Sequence, residues 1–157
     1  MEEGKATARV VEKMRTDMAE HEIVDVPADL LKGVKRGEVF LGDCVNQAKS
    51  FYIAHIDVEG ITSVIGACHN DLGDPYGHAW VEAGSLVFDG VRQRFFRAAG
   101  YHQMMQTVPV RQLTGTEADI FLLALPEGHA WQFLLAPLNE KHGNALIIDN
   151  KTGFITR

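Results

Sequence analysis

Apolar residues follow a helical spacing in the first third of the chain. Between residues 3 and 20 they recur every three or four positions among charged residues, which predicts an amphipathic helix. Pro27 suits a first helical turn and predicts a short second helix in "PADLLKGVKR". A third helix is expected to begin near Asp43, a good N-cap residue, and to end before Gly60. Its predicted buried face carries Val45, Ala48, Phe51, Tyr52 and His55.

The apolar pattern then changes to short, β-branched runs that are typical of strands. Strands are predicted at 61–68 and 78–84, with a polar loop at 69–77 between them. Residues 85–90 follow across an Ala-Gly turn, which predicts a hairpin. The sheet is expected to continue through "RQRFFRAA". This order predicts an antiparallel sheet packed against the helix that begins near Asp43.

The last third of the chain has a weaker pattern. Thr116 and Asp119 resemble a capping pair and predict a helix over 116–125, which Pro126 would end. The segment "WQFLLAP" fits a strand or a helix equally well, and "NALIIDNKTGFITR" predicts a terminal hairpin.

Length and composition fit a single α+β domain over residues 1–157. The chain has 157 residues, 46% of them hydrophobic, which is enough to bury a core. We expect N-terminal helices in 1–36, a core with the candidate chemistry in 37–110 and a C-terminal extension in 111–157. The formal net charge of −6 argues against a nucleic-acid or membrane-surface binder, and no apolar run is long enough to span a bilayer. Two cysteines without an apolar export signal predict a cytoplasmic protein.

Three polar residues occur in an order that suits thiol chemistry. Cys44 stands at a predicted helix start, His78 opens a strand, and Asp89 lies on the neighbouring strand. A helix N-terminus stabilises a thiolate, an imidazole can take and return a proton, and a carboxylate on the other ring nitrogen fixes the tautomer. Each residue alone is more often structural: a buried thiol, a core histidine or a turn aspartate. Their order along the chain therefore carries the prediction.

Three sequence blocks within residues 40–95 surround these candidates. "GDCVNQA" contains G-x-C-x-x-x-A, "EGITSVIG" follows the cysteine helix, and "HAWVEAGSLVFDG" contains H-x-W-x-E ahead of an aspartate. Together the blocks resemble, in the same order, those of the transglutaminase-like cysteine enzymes, a branch of the papain-like fold. The Gly-Asp-Cys variant is also similar to bacterial transglutaminase-like proteinases.

The resemblance implies a fold, a reaction and a set of roles. The implied fold is α+β with a papain-like, transglutaminase-like core, in which the cysteine helix packs on a small antiparallel sheet. Cys44 would be the nucleophile, His78 the base and acid, and Asp89 the orienting carboxylate, while Trp80 would pack beneath its strand. The implied reaction is acyl transfer at a peptide or amide bond of a peptide or protein substrate, through a thioester and without a cofactor. Hydrolysis, as in a cysteine peptidase or amidase, is preferred over transglutaminase-type transfer to an amine.

The chain departs from the family pattern around these residues. Asp89 is followed by Gly-Val instead of Pro, and Asn46 stands where an acidic residue is common. No Gln or Trp lies between Glu22 and Asp43, so the sequence identifies no side-chain oxyanion donor, and the backbone amide of Cys44 is the candidate that remains. A non-catalytic transglutaminase-like binding module is the alternative from a different functional class.

A metal site is a further alternative in residues 68–78. The possible ligands there are Cys68, His69, Asp71, Asp74 and His78. Their spacing matches no zinc signature, so a structural or gating loop is preferred over a metal site, and Cys68 is expected to be structural. His129, in the second "GHAW", is a rival base, but no carboxylate strand follows it closely. The other histidines have no recognisable partner in the sequence.

A local run of arginines follows the candidate aspartate. Four arginines and no acidic residue lie between Gly90 and Thr116. A solvated strand face is preferred over a site for an acidic substrate or partner. The four residues are Arg92, Arg94, Arg97 and Arg111.

Overall fold

The computed structural model describes residues 20–40, 43–69, 75–115, 140, 147–148 and 155–156. The described strands are β1 (Glu22–Ile23), β2 (Ile61–His69), β3 (Pro75–Ala83), β4 (Leu86–Asp89), β5 (Arg94–Arg97), β6 (Val108–Leu113), β7 (Ile147–Ile148) and β8 (Ile155–Thr156). The described α-helices are α1 (Cys44–Ala54) and α2 (Ala98–Met105), and a short 3-10 helix covers Ala28–Leu30. The protein is therefore of mixed α+β class.

Six strands form one antiparallel sheet in the order β1-β5-β4-β3-β2-β6. β3 turns into β4 through Gly84, whose φ of +59° suits the first position of a two-residue hairpin turn. β4 ends at Asp89, and its last residue paired with β3 is Phe88, opposite Val81. The first half of β3, which carries His78, therefore extends beyond the end of β4.

Helices cover both faces of the sheet. On one face α1 buries Phe51, which stacks on Phe88 with 3.9 Å between ring centroids. On the other face α2 buries Tyr101, which shares a second apolar cluster with Trp80 and Phe96. Because both faces are covered, almost every residue of β2 is buried. The two layers bring side chains to the sheet from opposite sides.

The structure confirms several of the predicted elements. The helix near Asp43 begins at Cys44 and ends before Gly60, with Ala48 and Phe51 on its buried face. The hairpin of β3 and β4 and its continuation into β5 also form as predicted. The fold is thus a cysteine-bearing helix packed on an antiparallel sheet.

Other predictions need correction. The polar loop at 69–77 is shorter than expected, because β2 continues to His69 and β3 already begins at Pro75, and these two residues pair. The short helix after Pro27 is limited to one 3-10 turn. The sequence pattern did not predict α2 or β6.

Part of the predicted organisation falls on residues outside the described set. These include the N-terminal amphipathic helix up to residue 19, the helix at 116–125 and the segment "WQFLLAP". Of the predicted terminal hairpin, β7 and β8 form an antiparallel pair with Ile147 opposite Thr156. The edge strands β1 and β6 bring residues from outside 37–110 into the same sheet.

Candidate active site

Cys44 is the first residue of α1, and its side chain is buried with 6% of its surface exposed. Asp43 occupies the N-cap position, but its carboxylate accepts side-chain hydrogen bonds from Asn46 (2.7 Å) and Gln47 (2.9 Å) instead of capping a backbone N–H. The backbone N–H groups in the first turn of α1 therefore receive no hydrogen bond from the Asp43 side chain. Such donors, at the positive end of a helix, favour an anion.

The first turn of α1 packs against the chain that follows β4. A Cβ atom on Gly90 would lie only 2.5 Å from Cβ of Gln47, so the absence of a side chain at Gly90 permits this approach. The backbone N–H of Phe40 also donates to the carbonyl of Val91 at 2.8 Å. These contacts hold the start of α1 beside the point where β4 ends, next to the first half of β3, which extends beyond β4.

His78 lies on this part of β3 and is almost fully buried. Its Nε2 is 2.8 Å from the Tyr101 hydroxyl and 3.4 Å from Oδ2 of Asp89, and the Cys44 side chain is near enough to raise the pKa of the ring. Because Nε2 faces Tyr101 and Asp89, Nδ1 is the nitrogen that remains for the thiol. Burial alone would lower the pKa of His78, but Asp89 and Cys44 together raise it to about 9.

Asp89 is fully buried at the end of β4. Its Oδ1 accepts the backbone N–H of Arg92 at 3.2 Å, and its Oδ2 accepts Nη1 of Arg92 at 2.7 Å and the Tyr101 hydroxyl at 2.8 Å. Burial alone would raise the pKa of Asp89, but Arg92 and His78 hold it well below its usual range. Asp89 is therefore an ionised carboxylate whose two oxygens are both occupied by donors.

The structure brings the three predicted residues together, with one difference from the expected arrangement. The sequence predicts a direct hydrogen bond between His78 and Asp89, but 3.4 Å is longer than the usual range for such a bond. Tyr101 lies between them and makes a 2.8 Å hydrogen bond to each. The sequence interpretation missed Tyr101, although Ala98, Tyr101 and Met105 have the spacing of one helix face.

Arg92 is the second neighbour of the site that the sequence interpretation missed. The sequence pattern predicts a solvated strand face for it, yet its side chain is only 18% exposed and is paired with Asp89. Arg94 contacts Glu22 at 3.6 Å across β1 and β5, and Arg97 is exposed. The expected solvated face is therefore wrong for Arg92, because the turn after β4 folds its guanidinium back onto the buried carboxylate.

A second polar network lies on the α2 side of β3. Oε1 of Glu82 accepts a hydrogen bond from Nε1 of Trp80 at 3.2 Å and lies 2.8 Å from Nε2 of His102. The other ring nitrogen of His102 is 2.6 Å from the hydroxyl oxygen of Thr107. Trp80 is buried, as predicted. This network ties α2 to β3 and gives a structural reason for the W-x-E spacing, since residues two apart share one face of a strand.

The proposed metal ligands are only partly within the described residues. Cys68 is buried on β2, where burial and then Asp89 raise its pKa, and Tyr76 lies beside it. His69 contacts the carbonyl of Gln106 through Nδ1 at 2.7 Å. Asp71 and Asp74 lie outside the described residues. Within the described part of the chain, no three His, Cys, Asp or Glu side chains are placed to hold a metal ion.

Two of the remaining histidines have hydrogen-bond partners that the sequence did not predict. His102 bonds with Glu82, and His55 is fully buried, with Nδ1 2.7 Å from the carbonyl of Phe51. The rival base His129 and also His142 lie outside the described residues. The expectation that these histidines have no partner is therefore wrong for His55 and His102.

Comparisons with known proteins add no relative. No family model, no curated protein and no solved structure matches the chain. The likeness to transglutaminase-like enzymes thus rests on the sequence blocks alone and stays a prediction. Among the residues that the structure describes, neither helix is long and apolar enough to cross a membrane.

Proposed function

We propose that this protein is a thiol-dependent acyl-transfer enzyme that hydrolyses a peptide or amide bond of a peptide or protein substrate. The observation that carries the proposal is the proximity of Cys44, at a helix start, to His78, whose Nε2 faces Tyr101 and Asp89. The arrangement provides a nucleophile, a base beside it and a buried carboxylate behind the base. We further propose that the core is transglutaminase-like.

The reaction begins with a cationic imidazole beside the sulfur. Because the pKa of His78 is raised to about 9, the ring carries a proton near neutral pH, and a cation in this position favours a thiolate nucleophile. The thiolate of Cys44 attacks the carbonyl carbon, and a C–S bond forms. Negative charge develops on the carbonyl oxygen, where the backbone N–H of Cys44 at the start of α1 is the proposed donor.

His78 then acts as acid and as base in turn. Its Nδ1 proton goes to the leaving nitrogen, the C–N bond breaks, and a thioester remains on Cys44. Water enters and gives a proton to His78 as it attacks the thioester. The C–S bond breaks, the carboxylic acid product leaves and then gives its proton to solvent, and the thiolate and imidazolium are restored. Every proton removed in one half of the cycle is returned in the other, so no cofactor is required.

The experiment is a substrate screen with two matched cysteine variants. Peptide, isopeptide and cell-wall amide substrates are incubated with wild type, Cys44→Ala and Cys68→Ser, and the products and the intact protein mass are measured. We expect turnover, and an acyl mass on the protein that maps to Cys44, in wild type and Cys68→Ser but not in Cys44→Ala. Products in which an added amine replaces water would instead assign transglutaminase-type transfer. Turnover that survives in Cys44→Ala would refute the proposed nucleophile.

A further inference from the structure

We propose that Tyr101 is a positioning residue that connects His78 to Asp89 by relaying their hydrogen bond, so that the site is a chain of four residues instead of a triad. This inference rests on the proposed function of Cys44 and His78. It concerns a residue on α2, the helix on the opposite face of the sheet from α1. Tyr101 therefore joins the second helical layer to the candidate chemistry.

The direction of each hydrogen bond in the chain follows from the charges. Asp89 is an ionised carboxylate and can only accept, so the Tyr101 hydroxyl donates to its Oδ2 at 2.8 Å. The hydroxyl keeps its proton because burial and then Asp89 raise the pKa of Tyr101 well above its usual value. With its proton committed to Asp89, the hydroxyl oxygen accepts from His78, and Nε2 of His78 must carry the donated proton.

This direction fixes the tautomer that the proposed chemistry needs. A neutral His78 with its proton on Nε2 has its lone pair on Nδ1, the nitrogen that remains for Cys44. A proton on Nδ1 instead would leave Nε2 and the Tyr101 oxygen facing each other without a hydrogen between them. By accepting the Nε2 proton, Tyr101 keeps Nδ1 of His78 free to act as a base, which is what a directly bonded carboxylate does in a triad.

Asp89 is too far from His78 to fix its tautomer by a direct hydrogen bond. It lies 3.4 Å from Nε2, and its two oxygens are held by the backbone and guanidinium of Arg92. Moving the carboxylate toward His78 would stretch the 2.7 Å bond to Arg92 inside a fully buried site. The hydroxyl of Tyr101 bridges this gap without displacing either group.

Tyr101 is itself held in place from several directions. Its ring is fully buried and packs against Phe96, with 5.4 Å between ring centroids. The next residue, His102, is tied to Glu82 of β3 at 2.8 Å, which anchors α2 one residue from the hydroxyl-bearing ring. A side chain fixed in this way can set the orientation of His78, as a preorganised site requires.

The test measures alkylation of Cys44 by iodoacetamide as a function of pH in Tyr101→Phe. Peptide mapping by mass spectrometry follows Cys44 separately from Cys68. In wild type we expect a rate that changes little between pH 6 and 8, because the oriented His78 ring assists the thiol across this range. In Tyr101→Phe we expect a rate about three- to tenfold lower at pH 6.5 that rises steeply toward pH 8.5, as for an ordinary thiol.

Tyr76→Phe is the matched control. It removes another phenol hydroxyl near His78, at 6.1 Å between ring centroids, but that hydroxyl lies beside the Cys68 thiol. We expect Tyr76→Phe to keep the wild-type pH profile. Near-wild-type behaviour of a folded Tyr101→Phe, or an equal loss in Tyr76→Phe, would overturn the proposal.

A second readout separates this inference from the proposed function. Nitrogen-15 NMR of the His78 ring reports which nitrogen carries the proton, and it does not depend on Cys44 reactivity. We expect a single Nε2-protonated or doubly protonated ring in wild type and a mixture of tautomers at high pH in Tyr101→Phe. An unchanged ring spectrum in Tyr101→Phe would refute the role of Tyr101. A wild-type Cys44 that reacts no faster than an unfolded thiol would refute the proposed function, whatever the ring spectrum shows.

Discussion

Replacing Asp89 with asparagine tests the buried end of the site without changing its volume. The carboxylate accepts two hydrogen bonds from Arg92 and one from Tyr101, and its oxygens are fully buried. An asparagine has one oxygen and one NH₂ group, so in either orientation at least one buried donor meets another donor. The substitution also leaves the guanidinium of Arg92, which is 18% exposed, without its counter-charge.

The expected cost follows from these contacts. Breaking a buried ion pair by removing one partner costs about 3–5 kcal/mol, and the partial exposure of Arg92 reduces this to about 2–4 kcal/mol of unfolding free energy. For a chain of 157 residues this corresponds to a loss of roughly 5–15 °C in Tm. Because the pKa of Asp89 is held below its usual range, the stabilisation is present above the usual aspartate pKa and is lost as pH falls through the folded value.

Urea unfolding followed by tryptophan fluorescence measures this cost, since Trp80 is buried. The gap between wild type and Asp89→Asn should be present at pH 5 to 6 and narrow at more acidic pH, whereas above pH 6.5 it also changes because Asp89 raises the pKa of His78. Asp25→Asn, on an exposed aspartate, is the control and should change the unfolding free energy by less than about 0.5 kcal/mol. A gap below about 1 kcal/mol, or one that does not narrow in acid, would refute the description of Asp89 as a buried, fully paired carboxylate.

Three further predictions concern the surroundings of the site. Gly90→Ala should lower the free energy of unfolding by about 1–3 kcal/mol and slow Cys44 alkylation, because the new Cβ would lie 2.5 Å from Cβ of Gln47. Unchanged values in both assays would contradict this packing. Gly66→Ala should cost a similar amount in urea unfolding, because its Cβ would meet the Val108 carbonyl of β6, but it should leave Cys44 reactivity nearly unchanged. The free energy of unfolding of wild type should fall by up to about 3 kcal/mol between pH 6.5 and 9. The reason is that folding raises the pKa of His78 from 6.5 to about 9, so the protonated ring that stabilises the fold is lost across that window. A His78→Gln variant whose unfolding free energy falls equally steeply with pH would contradict this.

The sequence was sufficient to predict those parts of the fold that depend on local periodicity. The helical spacing after Asp43 and the short β-branched runs after Gly60 identify α1 and the strands of the hairpin, since both patterns record a buried face. Asp89 and His78 were expected on neighbouring strands, and β3 and β4 are indeed neighbours. Chain order alone was enough for this, because a two-residue turn leaves few alternatives.

The rest depended on contacts between residues distant in the sequence. Tyr101 reaches Asp89 from a helix on the other face of the sheet, and no local pattern predicts which face a short helix will cover. The sequence shows Arg92 only as one charge in a run of arginines, which is typical of a surface. It does not show that the turn after β4 brings its guanidinium to Asp89. The extent of β2 and β3 beyond the predicted loop was likewise set by their mutual pairing at His69, not by strand propensity.

The most direct test of the account is the rate at which iodoacetamide modifies Cys44 at pH 6.5. An ordinary thiol is about 1% thiolate at this pH, and the best attacking thiol gains roughly tenfold in rate over it. We expect native Cys44 to react about tenfold faster than the same residue in the urea-unfolded chain, and we expect His78→Ala to remove this advantage. A native Cys44 that reacts no faster than the unfolded thiol, or one whose rate is unchanged in His78→Ala, would contradict the central claim.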